Sequence, residues 1–350
     1  MGISSESSQK IKNMSLVCAI LVVCIHTAWF FGGEDGLGRF VREVIGFGAA
    51  QIAVPFFFIV SGFFLAQHFD EEGWWMREVK KRISSLVIPF FVWSFIAFVG
   101  TTSLSLLCDV VARRSLGSSV AFLQPNFMWD VAIGARLTCV PLLGPLWFVR
   151  CLFVFILLSG VLKFFVLRFK WWWLLLLFVL NFGTNHIPND LIRDILRATF
   201  GSTTNGLLYF SLGIYLCYFP MGSKRNTKFG IVICGIIGLV LLAVRVVIAY
   251  KGWPFDLFTR RLLTPFLLYF VWSLTSVRKW PDYLTACSFP IFLMHMVFMP
   301  FINTISAKLH LYGFCFGMVG FAGSMLLSIV VTLTLRRFMP RVARFLFGGR

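Results

Sequence analysis

Apolar runs of about 17–23 residues recur along the chain, separated by short polar segments rich in Lys and Arg. Roughly 20 apolar residues in a helix, rising about 1.5 Å each, cross the hydrocarbon layer of a bilayer. The runs are continuous rather than alternating, so they specify helices and not the strands of a barrel. The pattern predicts an all-α, polytopic transmembrane bundle of about ten spans. They lie near 14–33, 46–67, 86–107, 145–166, 171–187, 200–219, 228–250, 259–276, 284–303 and 314–335. No repeat or separate polar domain interrupts them, so residues 1–350 read as one membrane-embedded domain. The first run starts too late and extends too far for a cleaved leader, and it is read as a retained helix.

The basic residues set the expected orientation. With the N terminus inside, the inner segments carry 19 Lys and Arg against 11 outside, and Arg150 and Arg245 lie within spans. The positive-inside rule then puts both termini in the cytoplasm. His26, roughly 18 Å along the first span at 1.5 Å per residue, falls in its outer half.

Composition narrows the class. The 350 residues are 59% hydrophobic and 13% charged, with 42 Phe, against about 25% charged residues in a soluble domain. A formal charge of +18 would fit nucleic acid, but the cations sit at span ends, where topology requires them. Most of the nine Cys lie inside spans without metal-ligand spacing, so no metal is expected. Cys108 and Cys139 flank the one long loop, 108–144, and could pair only if it faces outward.

Against this background a few polar groups stand out. His26 ends the run Val22-Val23-Cys24-Ile25. Ionisable groups inside spans usually face the bundle interior and mark a pathway or reaction site, and an imidazole can act as base or nucleophile. In Pro55-Phe56-Phe57-Phe58-Ile59-Val60-Ser61-Gly62, Pro55 predicts a mid-helix kink. Ser61-Gly62 offers close helix packing or a hydrogen-bond donor. Trp147 and Arg150 are three apart, on one helix face. Arg150 either snorkels to headgroups or contacts substrate. His295, in Phe289-Pro290-Ile291-Phe292-Leu293-Met294-His295, makes either a structural bond or a catalytic one. Arg77, Lys80, Lys81 and Arg82 form either a topology signal or a cytoplasmic clamp for the phosphates of coenzyme A. No Walker or GxGxxG motif, GxSxG or HExxH is present.

In this order the pieces resemble the acyltransferase-3 family of membrane proteins. They are the first-helix His26, the Pro55–Gly62 segment, Lys81-Arg82 with Ile88-Pro89-Phe90-Phe91-Val92-Trp93, Leu146-Trp147-Phe148 and Phe289–His295. The resemblance implies about ten spans and transfer of an acyl group, commonly acetyl, from cytoplasmic acyl-CoA to an extracytoplasmic hydroxyl. His26 matches the family's essential histidine. The Arg that the family often carries eleven residues earlier is here Ser15, with Lys12 as the nearest cation, and Lys and Arg are not equivalent ligands. No SGNH-type hydrolase domain follows in the 350 residues, so transfer is expected to be completed by this chain or a partner.

The resulting expectation is an O-acyltransferase of the bacterial inner membrane, using acyl-CoA and a surface glycan or lipid-linked saccharide. His26 is the catalytic group, either base or acyl carrier. Arg150, Trp147, Ser61 and His295 contact substrate, and Lys12, Arg77, Lys80, Lys81 and Arg82 hold the donor. The competing readings are a glycan transporter or flippase, and a non-catalytic membrane subunit.

Overall fold

The computed structural model describes residues 4–31, 36–111, 143–183, 189, 192, 205–220 and 227–349. His186, Lys224, Arg225, Cys139 and most of the 108–144 loop lie outside them. The regular secondary structure of the described residues is all helical, without strands. In chain order the helices are α1 (Ser5–Thr27), α2 (Gly36–Val41), α3 (Ala53–Ala66), α4 (Trp74–Arg82) and α5 (Ile88–Val111). Then come α6 (Leu146–Leu157), α7 (Ser159–Phe169), α8 (Trp171–Gly183), α9 (Asn205–Tyr218), α10 (Thr227–Lys251) and α11 (Asp256–Leu274). The last are α12 (Asp282–Thr285), α13 (Ser288–Lys308), α14 (Gly313–Phe338) and α15 (Pro340–Leu346).

Among the described residues, six helical stretches are long and apolar enough to cross a membrane. They are Ser5–Phe30, Gly36–Ala66, Trp74–Leu107, Lys228–Lys251, Ser288–Lys308 and Gly313–Phe338. A seventh arises if α6 and α7 count as one span. The chain is a multi-pass membrane protein.

Contacts divide the chain into two compact units, one formed by residues 1–67 and 209–338, the other by 68–208 and 339–350. In the first, α1 is the central helix. Its Leu16, Ala19 and Val23 pack with Cys287 and Ile291 around the start of α13. Asn13 is fully buried, and its amide donates to the Ser276 and Arg278 carbonyls, both at 2.8 Å. Those carbonyls follow the end of α11, where a helix leaves acceptors unsatisfied.

Helices α3 and α9 meet backbone to backbone. A Cβ on Gly62 would lie 2.1 Å from the Phe210 carbonyl oxygen, and one on Gly213 would lie 2.0 Å from the Ile59 oxygen. Two glycines thus supply the approach that Ser61-Gly62 suggested. Helix α10 leaves Phe229, Val232, Ile236, Leu239, Val240 and Val247 exposed. In a membrane protein such a face meets lipid without penalty.

Pro55 does not kink a helix. Its helix begins at Ala53, after a 3₁₀ turn over Ala49–Ile52, so Pro55 lies in the first turn. There a backbone N–H has no intrahelical partner, and its loss costs nothing. The irregularity lies upstream, in the five-residue π-turn Arg42–Gly46 and the 3₁₀ turn.

The second unit holds a break that hydropathy did not reveal. The expected span 145–166 is α6 and α7, bent by 71° at Leu158. Ser159 turns its hydroxyl onto the Ile156 carbonyl, and Gly160 follows. Such pairs, with side-chain competition for the backbone, are a recognised cause of kinks. The Leu157 carbonyl accepts from the Trp75 indole at 3.1 Å, so the broken turn is not left unsatisfied. Helix α15 is held by the Trp93 indole, which donates to the Leu346 carbonyl at 2.9 Å. Trp93 also stacks near Phe347.

Candidate functional site

His26 sits in the last turn of α1, and His295 lies two turns into α13. The packing of α1 on α13 brings the two rings together, with centroids 5.1 Å apart and planes tilted by 44°. His295 is fully buried, and its Nδ1 lies 2.9 Å from the Ile291 carbonyl oxygen. In the neutral ring that contact makes Nδ1 the protonated donor and leaves Nε2 an acceptor. This Nε2 is buried and has no hydrogen-bond partner among the described residues. His26 is partly exposed, and among the described residues its ring makes no hydrogen bond. Two imidazoles, one anchored and one free to meet a reactant, are therefore adjacent.

The backbone around His26 is tightly held. The Thr27 hydroxyl donates to the Val23 carbonyl at 2.9 Å. The π-turn Arg42–Gly46 presses on the same helix end. A Cβ on Gly46 would fall 2.3 Å from the Ala28 Cβ and 3.3 Å from the Cys24 oxygen. Phe47 meets Trp29 edge-on, with centroids 4.8 Å apart.

Behind that turn lies a buried ion network for which the sequence had suggested no partners. Arg245, 1% exposed, donates from Nε to Asp256 Oδ1 and from Nη2 to Glu43 Oε2, both at 2.7 Å. Its Nη1 donates to the Glu43 backbone carbonyl. Glu43 also accepts from Arg42 Nε at 2.9 Å, and Asp256 accepts from Arg260. An unpaired Arg inside a span is costly to insert; three acceptors answer that cost here. Arg245 inside an apolar span was the one signal that could have pointed to the network.

The same unit contains a cavity of about 670 Å³ against the N-terminal half of α1. Phe56, Phe63, Tyr209, Tyr269 and Trp272 line it, with Ser4, Ser7 and Gln67 as polar members. The Lys10 ammonium lies 4.8 Å from the Trp272 ring centre. Ser61 is partly buried in α3. The hydroxyl of Ser15 donates to the Ile11 carbonyl at 2.7 Å within its own helix. Lys12 is exposed, and at 1.5 Å per residue it stands about 21 Å from His26. Its field falls on Asp282, whose carboxyl is held below the usual range chiefly by its hydrogen bond to Lys279.

The remaining candidates belong to the second unit. Trp147 and Arg150 occupy the first turns of α6, both partly exposed. The cations of α4 are less available than their spacing implied. Arg77 pairs with Glu71, while Arg82 and Lys81 lie 3.3 and 3.6 Å from Glu78, itself 2% exposed. Asp70, Glu71, Glu72 and Glu78 balance Arg77, Lys80, Lys81 and Arg82 in number. The segment is a neutral, ion-paired helix end rather than a net positive patch. His68 Nδ1 lies 2.8 Å from Glu71, and that contact, aided by Arg77, holds the Glu71 carboxyl below its usual range.

The family profile described as an acyltransferase domain matches residues 11–333. The succinoglycan biosynthesis protein ExoH of Rhizobium meliloti (strain 1021) is 25% identical over 261 residues. That match covers 71% of this chain and 65% of the relative, so the chain spans less than two thirds of that protein's length. No solved structure matches. The profile covers α1 with His26 and α13 with His295 in one continuous match, and the chain belongs to the acyltransferase-3 family of membrane proteins.

Proposed function

We propose that the protein is an O-acyltransferase of a bacterial cell membrane that moves an acyl group, acetyl in the simplest case, from acyl-CoA to a hydroxyl of a polysaccharide or its lipid-linked precursor. The single observation that carries this reading is the apposition of His26 and His295, 5.1 Å between ring centres, inside the family-matched region. As base, His26 takes the proton of the acceptor hydroxyl as its oxygen attacks the thioester carbonyl. The C–S bond breaks, the ester forms, and the sulfur leaves as a thiol with the proton from the imidazolium. As acyl carrier, a His26 nitrogen attacks the thioester carbonyl, the C–S bond breaks and coenzyme A leaves as the thiol with the imidazole proton. The acceptor hydroxyl then attacks the acyl-imidazole, the C–N bond breaks, and the hydroxyl proton returns to His26. In either case His295 Nε2, with its ring anchored through Nδ1 to Ile291, is an acceptor that orients a hydroxyl or the His26 N–H.

The apolar cavity supports the donor side of the proposal. At about 670 Å³ it lies within the usual size of small-molecule sites. Its Ser4, Ser7 and Gln67 would meet the amides of a pantetheine arm. The proposed phosphate-binding groups are Lys12 in the first unit and, separately, Arg77, Lys80, Lys81 and Arg82 in the second, the last two beside Glu78. Trp147 and Arg150, also in the second unit, are the proposed sugar contacts. The polysaccharide acceptor is supported by the name of the relative, a succinoglycan biosynthesis protein.

The test is acyl transfer from radiolabelled acetyl-CoA to the surface polysaccharide by protein reconstituted in nanodiscs. His26→Ala is expected to lower transfer by at least about 10²-fold, the scale of a lost acid–base group. Undiminished transfer by a fully inserted His26→Ala protein would refute the assignment. Transport of unmodified glycan without acylation would favour the flippase reading.

A further inference from the structure

We infer that Glu43, Arg245 and Asp256 form a positioning device that sets the His26 backbone, so that these three, none of which touches a reactant, govern the rate of the chemical step. The inference rests on the catalytic reading of His26. Its basis is a chain of contacts running from the ion network to both flanks of that histidine.

The first link is a main-chain one. Arg245 donates both to the Glu43 carboxylate and to the Glu43 backbone carbonyl. A side-chain pair alone would tether a flexible carboxylate; the second bond holds the backbone of the π-turn Arg42–Gly46 itself. Asp256 fixes the guanidinium from the other side at 2.7 Å. Arg245 is 1% exposed and makes three hydrogen bonds to Glu43 and Asp256, so releasing it would uncover a buried charge.

The second link is steric. The π-turn ends at Gly46, whose missing side chain lets it rest on Cys24 and Ala28, the residues two before and two after His26. The Gln51 amide ties the Gly46 carbonyl at 3.1 Å. A parallel route starts from Asp256, which pairs with Arg260. The Arg260 guanidinium lies 5.4 Å from the Phe47 ring centre, and Phe47 meets Trp29. Both routes end on main chain or side chains within three residues of His26. The imidazole makes no hydrogen bond among the described residues, so its aim is inherited from the helix end that this block holds. Displacements of about 1 Å at a reacting group are enough to cost about 10²-fold in rate.

The experiment measures kcat and KM for acetyl-CoA in nanodiscs for Glu43→Gln, Gly46→Ala and the double variant Gly46→Ala/Ala28→Gly, with His26→Ala alongside. Glu43→Gln and Gly46→Ala are each expected to lower kcat about 10-fold or more, with the donor KM within about twofold. The double variant removes the Cβ that the new methyl meets at 2.3 Å, and it is expected to recover most of the lost kcat. A structural role alone would lower the yield of inserted protein without this size-matched recovery of turnover per molecule. Wild-type kcat in Glu43→Gln or Gly46→Ala, a change confined to KM, or no recovery in the double variant would overturn the inference. If Gly46→Ala does not insert, Glu43→Gln, which replaces the charge-assisted bond from Arg245 with a weaker neutral one, decides alone. Failure of the functional reading is separate: it would appear as full activity in His26→Ala.

Discussion

Two ion clusters among the described residues use the same residue types to opposite ends. In the first unit Arg245 is 1% exposed and meets Glu43 and Asp256 at 2.7 Å. In the second, the α4 cations meet Glu71 and Glu78 at a helix end where Arg77 is 50% exposed and Lys81 59%, although Glu78 itself is 2% exposed, so the wet side of this cluster is its cations. Solvent makes the difference. Buried charges keep their full mutual attraction and cannot part without leaving an uncompensated ion. Exposed charges are screened, rearrange at little cost, and can exchange a carboxylate for a phosphate. The dry cluster is suited to holding a backbone still. The wet one is suited to releasing its cations to a ligand.

The sharpest way to break this comparison is Arg245→Met. Removing one member of a buried ionic set typically costs about 3–5 kcal/mol, and here it leaves Glu43 and Asp256 with only their partly exposed partners Arg42 and Arg260. A loss of that size is expected in the free energy of denaturation in detergent micelles. Adding Glu43→Gln should restore part of it, because the more buried of the two weakened carboxylates is removed. A cost below about 1 kcal/mol for Arg245→Met would show that water reaches the network.

His295→Phe keeps the bulk of the ring but removes the buried acceptor Nε2. It is expected to lower kcat about 10–100-fold with little change in donor KM, as loss of one positioned hydrogen-bonding group does. Unchanged steady-state kinetics would leave His295 a packing residue.

On the wet side, Lys81→Ala and Arg82→Ala are expected to raise the acetyl-CoA KM several-fold. The rise should shrink as salt increases, because exposed charges act through a screened field. Insensitivity to both substitutions would remove the phosphate-clamp reading of α4. The smallest effect is expected at Asp282, where the Lys279 hydrogen bond depresses the carboxyl. The folded-state value lies below the unfolded one, so the contribution is present above about pH 4 and is lost as pH falls through the depressed value. Unfolding of wild-type and Asp282→Asn protein across that window should show a small, steady difference above it that declines below.

Much of the fold was legible before any coordinates. Long apolar runs leave a chain no alternative to helices in lipid, because backbone groups there must be satisfied within the segment. His26 and His295 were legible for a related reason, since each interrupts an apolar run that a leucine would have completed more cheaply. The α4 cluster was half legible. Its cations were noted, as a topology signal or a phosphate clamp, and the four carboxylates beside them were not.

Pro55 shows where local reading fails. The residue promises a kink, yet whether proline disturbs a helix depends on its distance from the helix start, and the helix starts at Ala53. The bend at Leu158 is the converse case. Hydropathy averages over a window and does not register a hydroxyl capturing a carbonyl.

The sequence by itself determined that this chain is a helical membrane protein and that it resembles acyltransferase-3 proteins, and it offered His26 as the candidate catalytic group. Those properties follow from composition, period and order, which are local or additive along the chain. Only the tertiary structure decided that His295 stands beside His26 and that Arg245 is answered by Glu43 and Asp256. It also decided that a side-chain-free Gly46 rests on the His26 helix end. Each of these joins residues far apart in sequence, and their distance is set by which helices pack together. No window along the chain contains that information.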